Sequence, residues 1–288
     1  MTSYRADFAH AVRNGHTVWT AGVYDALSAK LAQEAGFKAV MTSGYAVSAS
    51  LLGLPDVELY TMTENLGVVR NVVNAVTVPV VADTDTGYGN AINVMRTVRE
   101  FEQAGVSAVI FEDQEVPKRC PCVATTLSIL PLEEGAAKIK AAVHARRDPN
   151  LVIVARTDAV DVQDAITRAQ AYVAAGADII QPISRCFTNL ADLKRLREAC
   201  GAPLSLQLLG WLEKDLTPAD IQAIAGLAVY PLVGLMTVTH SLRQNFAALH
   251  QQHSSQHLPL PVTGMDDFKK FIGFAEVEAL QNQFLLGK

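Results

Sequence analysis

The sequence predicts an α/β fold in which eight parallel strands close into a (β/α)8 TIM-type barrel, and three observations carry that expectation. Short β-branched runs alternate with helical patterns along most of the chain, which demands parallel pairing through right-handed crossovers. A grammar of helix, Ala-Gly and strand recurs at Ala104-Gly105, Ala175-Gly176 and Ala225-Gly226, with the same helix stop at Gly36, and each glycine reads as a left-handed cap. The alternative architecture, a doubly wound open sheet, calls for Gly-x-Gly-x-x-Gly after the first strand, and Gly22-Val-Tyr-Asp25 stands there instead.

Taken in order, an amphipathic helix over 4–13 stops at Asn14-Gly15. Strands are predicted at 17–22, 37–42, 78–82, 108–111, 152–155, 178–181, 204–207 and 228–232. Helices are predicted between them at 25–35, 62–75, 91–104, 133–146, 162–175, 189–199 and 217–225. Two connections, 43–60 and 113–131, exceed the roughly two to six residues usual for βα loops and read as lids over the site. From His240 the pattern is helix, a polar linker over 251–257, and one amphipathic helix over 265–286. Its Phe268, Phe271, Phe274 and Leu280 call for a covering surface, hence an oligomer. The chain is therefore read as one barrel domain over 1–288 with 240–288 as a helical extension.

Composition narrows the function classes. Half the residues are apolar and 18% are charged, enough for one large core. A net charge of −5 without a long basic run points away from nucleic acid and anionic membranes. The N-terminus lacks an apolar signal core and no stretch approaches the roughly 18 apolar residues of a membrane span, so a cytoplasmic protein is expected. The cysteines, Cys120, Cys122, Cys186 and Cys200, read as thiols, and Cys120-Pro-Cys122 is too closely spaced for a zinc knuckle.

In a barrel the residues just past each strand line the active face. Here they are Ser43-Gly44-Tyr45, Asp83 and Asp85, Glu112-Asp113, Arg156-Thr157-Asp158, Gln181 and Gln207. Strand alternation would send Asp83 and Asp85 to one side, where a hard cation, Mg²⁺ or Mn²⁺, would relieve their repulsion. The competing readings are that one Asp caps a helix, that Arg156 forms a structural ion pair with Asp158 or Glu112, and that Cys120 and Cys122 are exposed lid thiols.

The segments Tyr24-Asp-Ala-Leu, Ser43-Gly44, Leu52-Gly-Leu-Pro-Asp56, Asp83-Thr-Asp-Thr-Gly-Tyr-Gly-Asn90, Phe111-Glu-Asp-Gln114, Pro117-Lys-Arg-Cys120, Ala155-Arg-Thr-Asp-Ala159 and Tyr230-Pro-Leu232 span nearly the whole chain. Together they resemble the phosphoenolpyruvate mutase/isocitrate lyase superfamily, closest to its short lyases of the 2-methylisocitrate lyase and carboxyphosphonoenolpyruvate mutase kind. The resemblance implies a barrel that swaps its last helices between subunits, usually as a dimer of dimers. It implies Mg²⁺ held directly by Asp83 and through water by Asp56, Asp85 and Glu112. It also implies an enolate of a 2-oxo acid, bound by the metal, by Ser43 and the N–H groups around Gly44 and Tyr45, by Gln207 and by Arg156. The 113–131 segment would deliver Cys120 as the acid that protonates the leaving carbanion, its thiol tuned by Lys118 and Arg119.

The chain departs from that pattern where the leaving fragment is read. The lyase lid Lys-Lys/Arg-Cys-Gly-His appears as Lys118-Arg119-Cys120-Pro121-Cys122, a Glu after the sixth strand is Ile183, an Asn after the seventh is Gln207, and an aromatic is Met41. An apolar wall at Ile183 rejects an additional polar group, so an alkyl-substituted malate is expected in preference to a tricarboxylate. The expected activity is a carbon–carbon lyase. The alternatives are oxaloacetate hydrolysis or decarboxylation, a phosphonate-type mutase, which the Lys-Arg-Cys loop disfavours, and a non-catalytic barrel binding a 2-oxo acid.

Overall fold

The computed structural model describes residues 2–285 except 122 and 184. The first compact unit, Met1–Leu235, contains a closed barrel, and the second is Met236–Lys288. The barrel unit begins with α1 (Thr2–Arg13), β1 (Val18–Val23), α2 (Ala26–Glu34), β2 (Ala39–Thr42), α3 (Gly44–Leu52), α4 (Met62–Ala75) and β3 (Val80–Asp83). It continues through α5 (Ala91–Ala104), β4 (Ala108–Glu112), α6 (Leu132–Ala145), β5 (Val152–Thr157), α7 (Val162–Ala174) and β6 (Ile179–Pro182). It closes with α8 (Leu190–Cys200), β7 (Leu204–Gln207), α9 (Trp211–Lys214), α10 (Pro218–Ile224) and β8 (Ala225–Tyr230).

The strands pair in parallel in chain order, β8 returning to β1. The predicted (β/α)8 barrel is therefore the observed fold. Two apolar layers hold it. Met41, Val81, Ile110, Val154, Ile179 and Val229 fill the barrel interior together with Phe8, Ala9 and Val12 of α1. The larger outer layer joins the opposite strand faces to the helices, with Phe101, Phe111, Ile153 and Tyr172 fully buried. Helix α1 is held by charge as well, Arg5 pairing with Asp148 and Arg13 with Asp178, each at 2.9 Å.

Gly36, Gly105 and Gly176 take the left-handed backbone expected of helix stops. Gly226 differs. It lies inside β8 rather than at a cap, and a Cβ there would collide with the Val12 carbonyl of α1, so its role is close approach. The predicted 43–60 loop is also corrected: its first half is α3, because a run of small and apolar residues with no interior proline folds as a helix that buries Gly44, Ala46, Val47 and Ser48. The predicted helix over 265–286 is two, α12 (Met265–Ile272) and α13 (Phe274–Phe284), separated by Gly273 at φ 94°. In the second unit, which takes most of α11 (Val233–Gln252), Asn245 ties the helix to the 253–264 linker through paired bonds with the Leu260 backbone. Among the described residues no helix is long and apolar enough to cross a membrane.

Candidate active site

The site is assembled at the strands' C-terminal ends, beginning with β3. Three buried apolar residues lead to Asp83, after which the chain turns sharply. Asp85 and Tyr88 take positive φ, 49° and 61°, and Gly87 N–H donates to the Thr84 carbonyl. The left-handed turn, and not strand alternation, therefore places Asp85, because the strand has ended before it. Such conformations cost a non-glycine residue free energy and persist only where surroundings enforce them. Asn65 of α4 supplies part of that enforcement, donating to the Asp83 carbonyl at 2.9 Å and to the Tyr88 hydroxyl at 2.8 Å.

The Asp83 carboxylate receives the backbone N–H of Gly44 on one oxygen and that of Asp85 on the other, both at 3.2 Å. Burial, reinforced by the charge of Asp85, pushes its carboxyl up to about 6. A side chain at position 44 would crowd this contact, since a Cβ would stand 2.9 Å from the Tyr60 hydroxyl and 3.0 Å from Asp83 Oδ2. Ser43 begins α3 without spending its hydroxyl on the helix cap.

Two buried cations neutralise the acids. Lys118 reaches in from the 113–131 segment, its side chain 2% exposed, with Nζ 2.9 Å from Asp56 Oδ1 and 2.5 Å from Asp85 Oδ1. Burial opposes its charge, but Asp85, Glu112, Asp56 and Asp83 outweigh it and hold the ammonium well above its ordinary range. Arg156 and Glu112 are register partners on β5 and β4, and their side chains meet at 2.7 Å. The same guanidinium donates twice to Asp158, from Nε and Nη2 at 2.9 Å each. The ion-pair reading of Arg156 is thus realised with both acids at once. Asp158 is itself anchored, its N–H donating to Asp113, which also accepts from the Tyr172 hydroxyl.

These ion pairs leave the acids short of hydrogen-bond donors. Both oxygens of Asp85 and of Glu112, and Oδ1 of Asp56, are buried without an aligned donor among the described residues. Four carboxylates (Asp56, Asp85, Glu112, Asp158) pair with two cations, Lys118 and Arg156, whose charge also reaches Asp83. Burial pushes the Glu112 carboxyl well up, against the pull of Arg156. No three of His, Cys, Asp and Glu among the described residues lie close enough together to hold an ion as placed. The donor set nevertheless fits a hard divalent cation: it is all oxygen, anionic and unsatisfied.

A cavity of about 480 Å³ opens above this cluster, within the range of small-molecule sites. Ser43, Tyr45, Asp56, Asp83, Arg156 and Gln207 line it. Gly44, Asp85, Glu112 and Lys118 are not among its lining residues, and Asp85, Glu112 and Lys118 are buried. Cys120 also faces the cavity and is 7% exposed, so it is not a solvent-exposed lid thiol; Cys122 lies outside the described residues. Of the two cations expected beside the thiol, Lys118 pairs with the acids and Arg119 bonds Thr126 at 3.3 Å. Opposite, Gln181 accepts from Ser205 and from Gln207, at 2.9 and 3.1 Å, and Ile183 stands on the wall as expected.

Sequence reasoning missed Glu58 and Tyr60. Glu58 accepts from Thr86 at 2.6 Å, and burial raises its carboxyl; the Tyr60 hydroxyl is buried beside Gly44 without a partner among the described residues. The alternation of acids in Asp56-Val-Glu58 is the only local signal for the first, and nothing local marks the second.

A closed (β/α)8 barrel whose C-terminal rim gathers buried acids and cations around a small cavity defines a barrel enzyme. A family profile described as phosphoenolpyruvate phosphomutase matches residues 8–252, and the chain belongs to the phosphoenolpyruvate mutase/isocitrate lyase superfamily. It is 37% identical to the 2,3-dimethylmalate lyase of Eubacterium barkeri, with 93% of each chain covered. It is 45% identical to an oxaloacetate decarboxylase of Rhodopseudomonas palustris, over 70% of this chain and 69% of that one. A phosphonopyruvate hydrolase solved in complex with oxalate and Mg²⁺ superposes with a TM-score of 0.88 at 30% identity, covering 99% of this chain and all of that one.

Proposed function

We propose that the protein is a divalent-metal-dependent carbon–carbon lyase that cleaves an alkyl-substituted malate into a 2-oxo acid and a monocarboxylate. The observation that carries the reading is the placement of Cys120, an acid capable of protonating carbon, on the same cavity as Asp83 and Arg156. The 2,3-dimethylmalate lyase relative and the apolar wall at Ile183 support the substrate class.

Asp83, with Asp56, Asp85 and Glu112 behind it, would hold Mg²⁺ or Mn²⁺, which when bound supplies a Lewis acid for the oxygens of the 2-oxo acid. Ser43, the N–H groups at the start of α3 around Gly44 and Tyr45, and Gln207 bind and orient the substrate. Arg156, pinned by Glu112 and Asp158, presents fixed positive charge to the oxygens of the 2-oxo acid as it forms, without reorganising. Lys118 holds the 113–131 segment down on Asp56 and Asp85, which excludes water and sets Cys120 against the leaving carbon. The exposed Phe246, Phe268, Phe274 and Phe284 of the second unit support a homo-oligomer, with the dimer of dimers as the family expectation; light scattering tests it.

The oxaloacetate decarboxylase relative favours a second reading, loss of CO₂ from a 2-oxo dicarboxylate, which leaves the enolate of a 2-oxo acid. A panel of 2-hydroxy and 2-oxo acids with Mg²⁺, products followed by NMR, separates the two on the parent chain and on Cys120→Ser. Turnover that disappears only in the variant supports the lyase, and turnover indifferent to it supports decarboxylation. No turnover of any acid leaves a binding barrel, and vigorous release of pyruvate from 2-methylisocitrate would remove the alkyl-malate preference.

A further inference from the structure

We infer that Arg185 binds the second carboxylate of the substrate, the one carried away on the leaving fragment; this rests on the lyase reading above. A count of charge around the cavity motivates it. Lys118 and Arg156 are each committed to two carboxylates. Arg185, in the connection between β6 and α8, lines the same cavity and pairs with no carboxylate among the described residues. Its one hydrogen bond there runs from Nη1 to the Ala124 carbonyl, at 2.7 Å. A guanidinium has five N–H donors in a planar fork suited to a carboxylate, so four remain.

The position of that bond gives the arginine a place in the chemistry. Ala124 N–H donates in turn to the Cys120 carbonyl at 2.9 Å, so Arg185 is tied to the turn that carries the thiol. The remaining wall on this side is apolar, Ile183, Leu209, Leu212 and Leu232, and suits alkyl substituents rather than a second charge. An acid with a single carboxylate held near Asp83 and Arg156 would leave Arg185 without a counter-charge. A dicarboxylate would use both ends.

Bond cleavage sharpens the inference. As C2–C3 of a 2-hydroxy dicarboxylate breaks, the hydroxyl proton leaves to a base and the C2 oxygen becomes the carbonyl of the 2-oxo acid. The C2–C3 electron pair moves onto C3 and spreads into the carboxylate attached there, which gains negative charge until the Cys120 thiol delivers its proton to C3. A guanidinium at that carboxylate binds the transition state more tightly than the ground state. Decarboxylation moves charge the other way, since the carboxylate that departs as CO₂ gives up its charge, and a cation fixed on it retards the step. Arg185 therefore selects for cleavage over decarboxylation as well as for two carboxylates over one.

Calorimetric titration of the Mg²⁺-loaded full chain with oxalate, malate and lactate tests this on the parent, Arg185→Gln and Arg185→Lys. Oxalate addresses the acidic end alone, and lactate is malate without its second carboxylate. Arg185→Gln should bind oxalate and lactate as the parent does but malate about 10- to 100-fold more weakly, the usual worth of a charge-assisted contact, with part recovered in Arg185→Lys. Equal malate affinity in parent and Arg185→Gln would overturn the assignment, as would parallel loss of oxalate binding in that variant. Failure of the parent itself to bind oxalate would instead remove the metal-site reading beneath it.

Discussion

Replacing Lys118 with methionine isolates the charge balance of the acidic cluster, because the thioether keeps most of the stem's packing and removes only the ammonium. In the parent that ammonium stands 2.9 Å from Asp56 and 2.5 Å from Asp85, with almost no solvent contact. Asp85 has no aligned donor on either oxygen, so nothing else among the described residues compensates it at close range. Removing one partner of such a pair costs about 3–5 kcal/mol, since the orphaned charge stays buried. For a unit of this size each kcal/mol moves the midpoint by roughly 2–4 °C, so a drop on the order of 10 °C is expected in EDTA. Saturating Mg²⁺ should raise the variant's midpoint more than the parent's, because in the variant no ammonium already compensates the acids that the ion meets. Circular dichroism melts with and without chelator read both effects, and Arg119→Met, whose guanidinium sits on exposed Thr126, should move the midpoint by only about 1–2 °C. A Lys118→Met protein that melts with the parent in EDTA would refute the claim that this lysine carries the buried charge. Equal Mg²⁺ gains in both would refute the claim that the ion and the ammonium share the same carboxylates.

Three further outcomes are expected. Gly44→Ala forces a methyl against the Tyr60 hydroxyl and Asp83 Oδ2, so it should cost about 1–3 kcal/mol of stability and weaken Mg²⁺-dependent oxalate binding; parent-like calorimetry would contradict the close-approach argument. Asp113→Asn replaces an oxygen that accepts from Tyr172 at 2.7 Å or from the Asp158 N–H at 2.9 Å, so a loss of about 1–3 kcal/mol is expected, partly shared with Tyr172→Phe in a double-mutant cycle; full additivity would show that the two do not act together. Burial pushes the Cys186 thiol up to about 11. The folded chain thus keeps that proton longer than the unfolded one, and its contribution to stability declines as pH rises from the ordinary thiol value toward 11. Iodoacetamide labelling of Cys186, resolved by peptide mass, should accelerate about tenfold per pH unit through pH 9, whereas a plateau below that point would place the thiol in an ordinary environment.

The sequence by itself determined the barrel and the identity of most rim residues. Strand and helix periods are local properties of chain geometry, so short apolar runs leading to Asp83, Glu112, Arg156, Gln181 and Gln207 announced which side chains would stand at or next to the strand ends. The left-handed glycines at 36, 105 and 176 were legible for the same reason, each stop being written beside its helix. Tertiary structure alone decided how those residues are used. Lys118 finds Asp56 and Asp85 across the fold, and Arg156 is shared between the register partner Glu112 and Asp158. Gly226 became a point of contact with α1 instead of a helix stop, and α3 occupies a stretch whose length suggested a loop. Glu58, Tyr60 and Arg185 became visible only once their surroundings closed around them. Ion pairing and burial depend on which surfaces the closed sheet brings together, and no window of neighbouring residues contains that information.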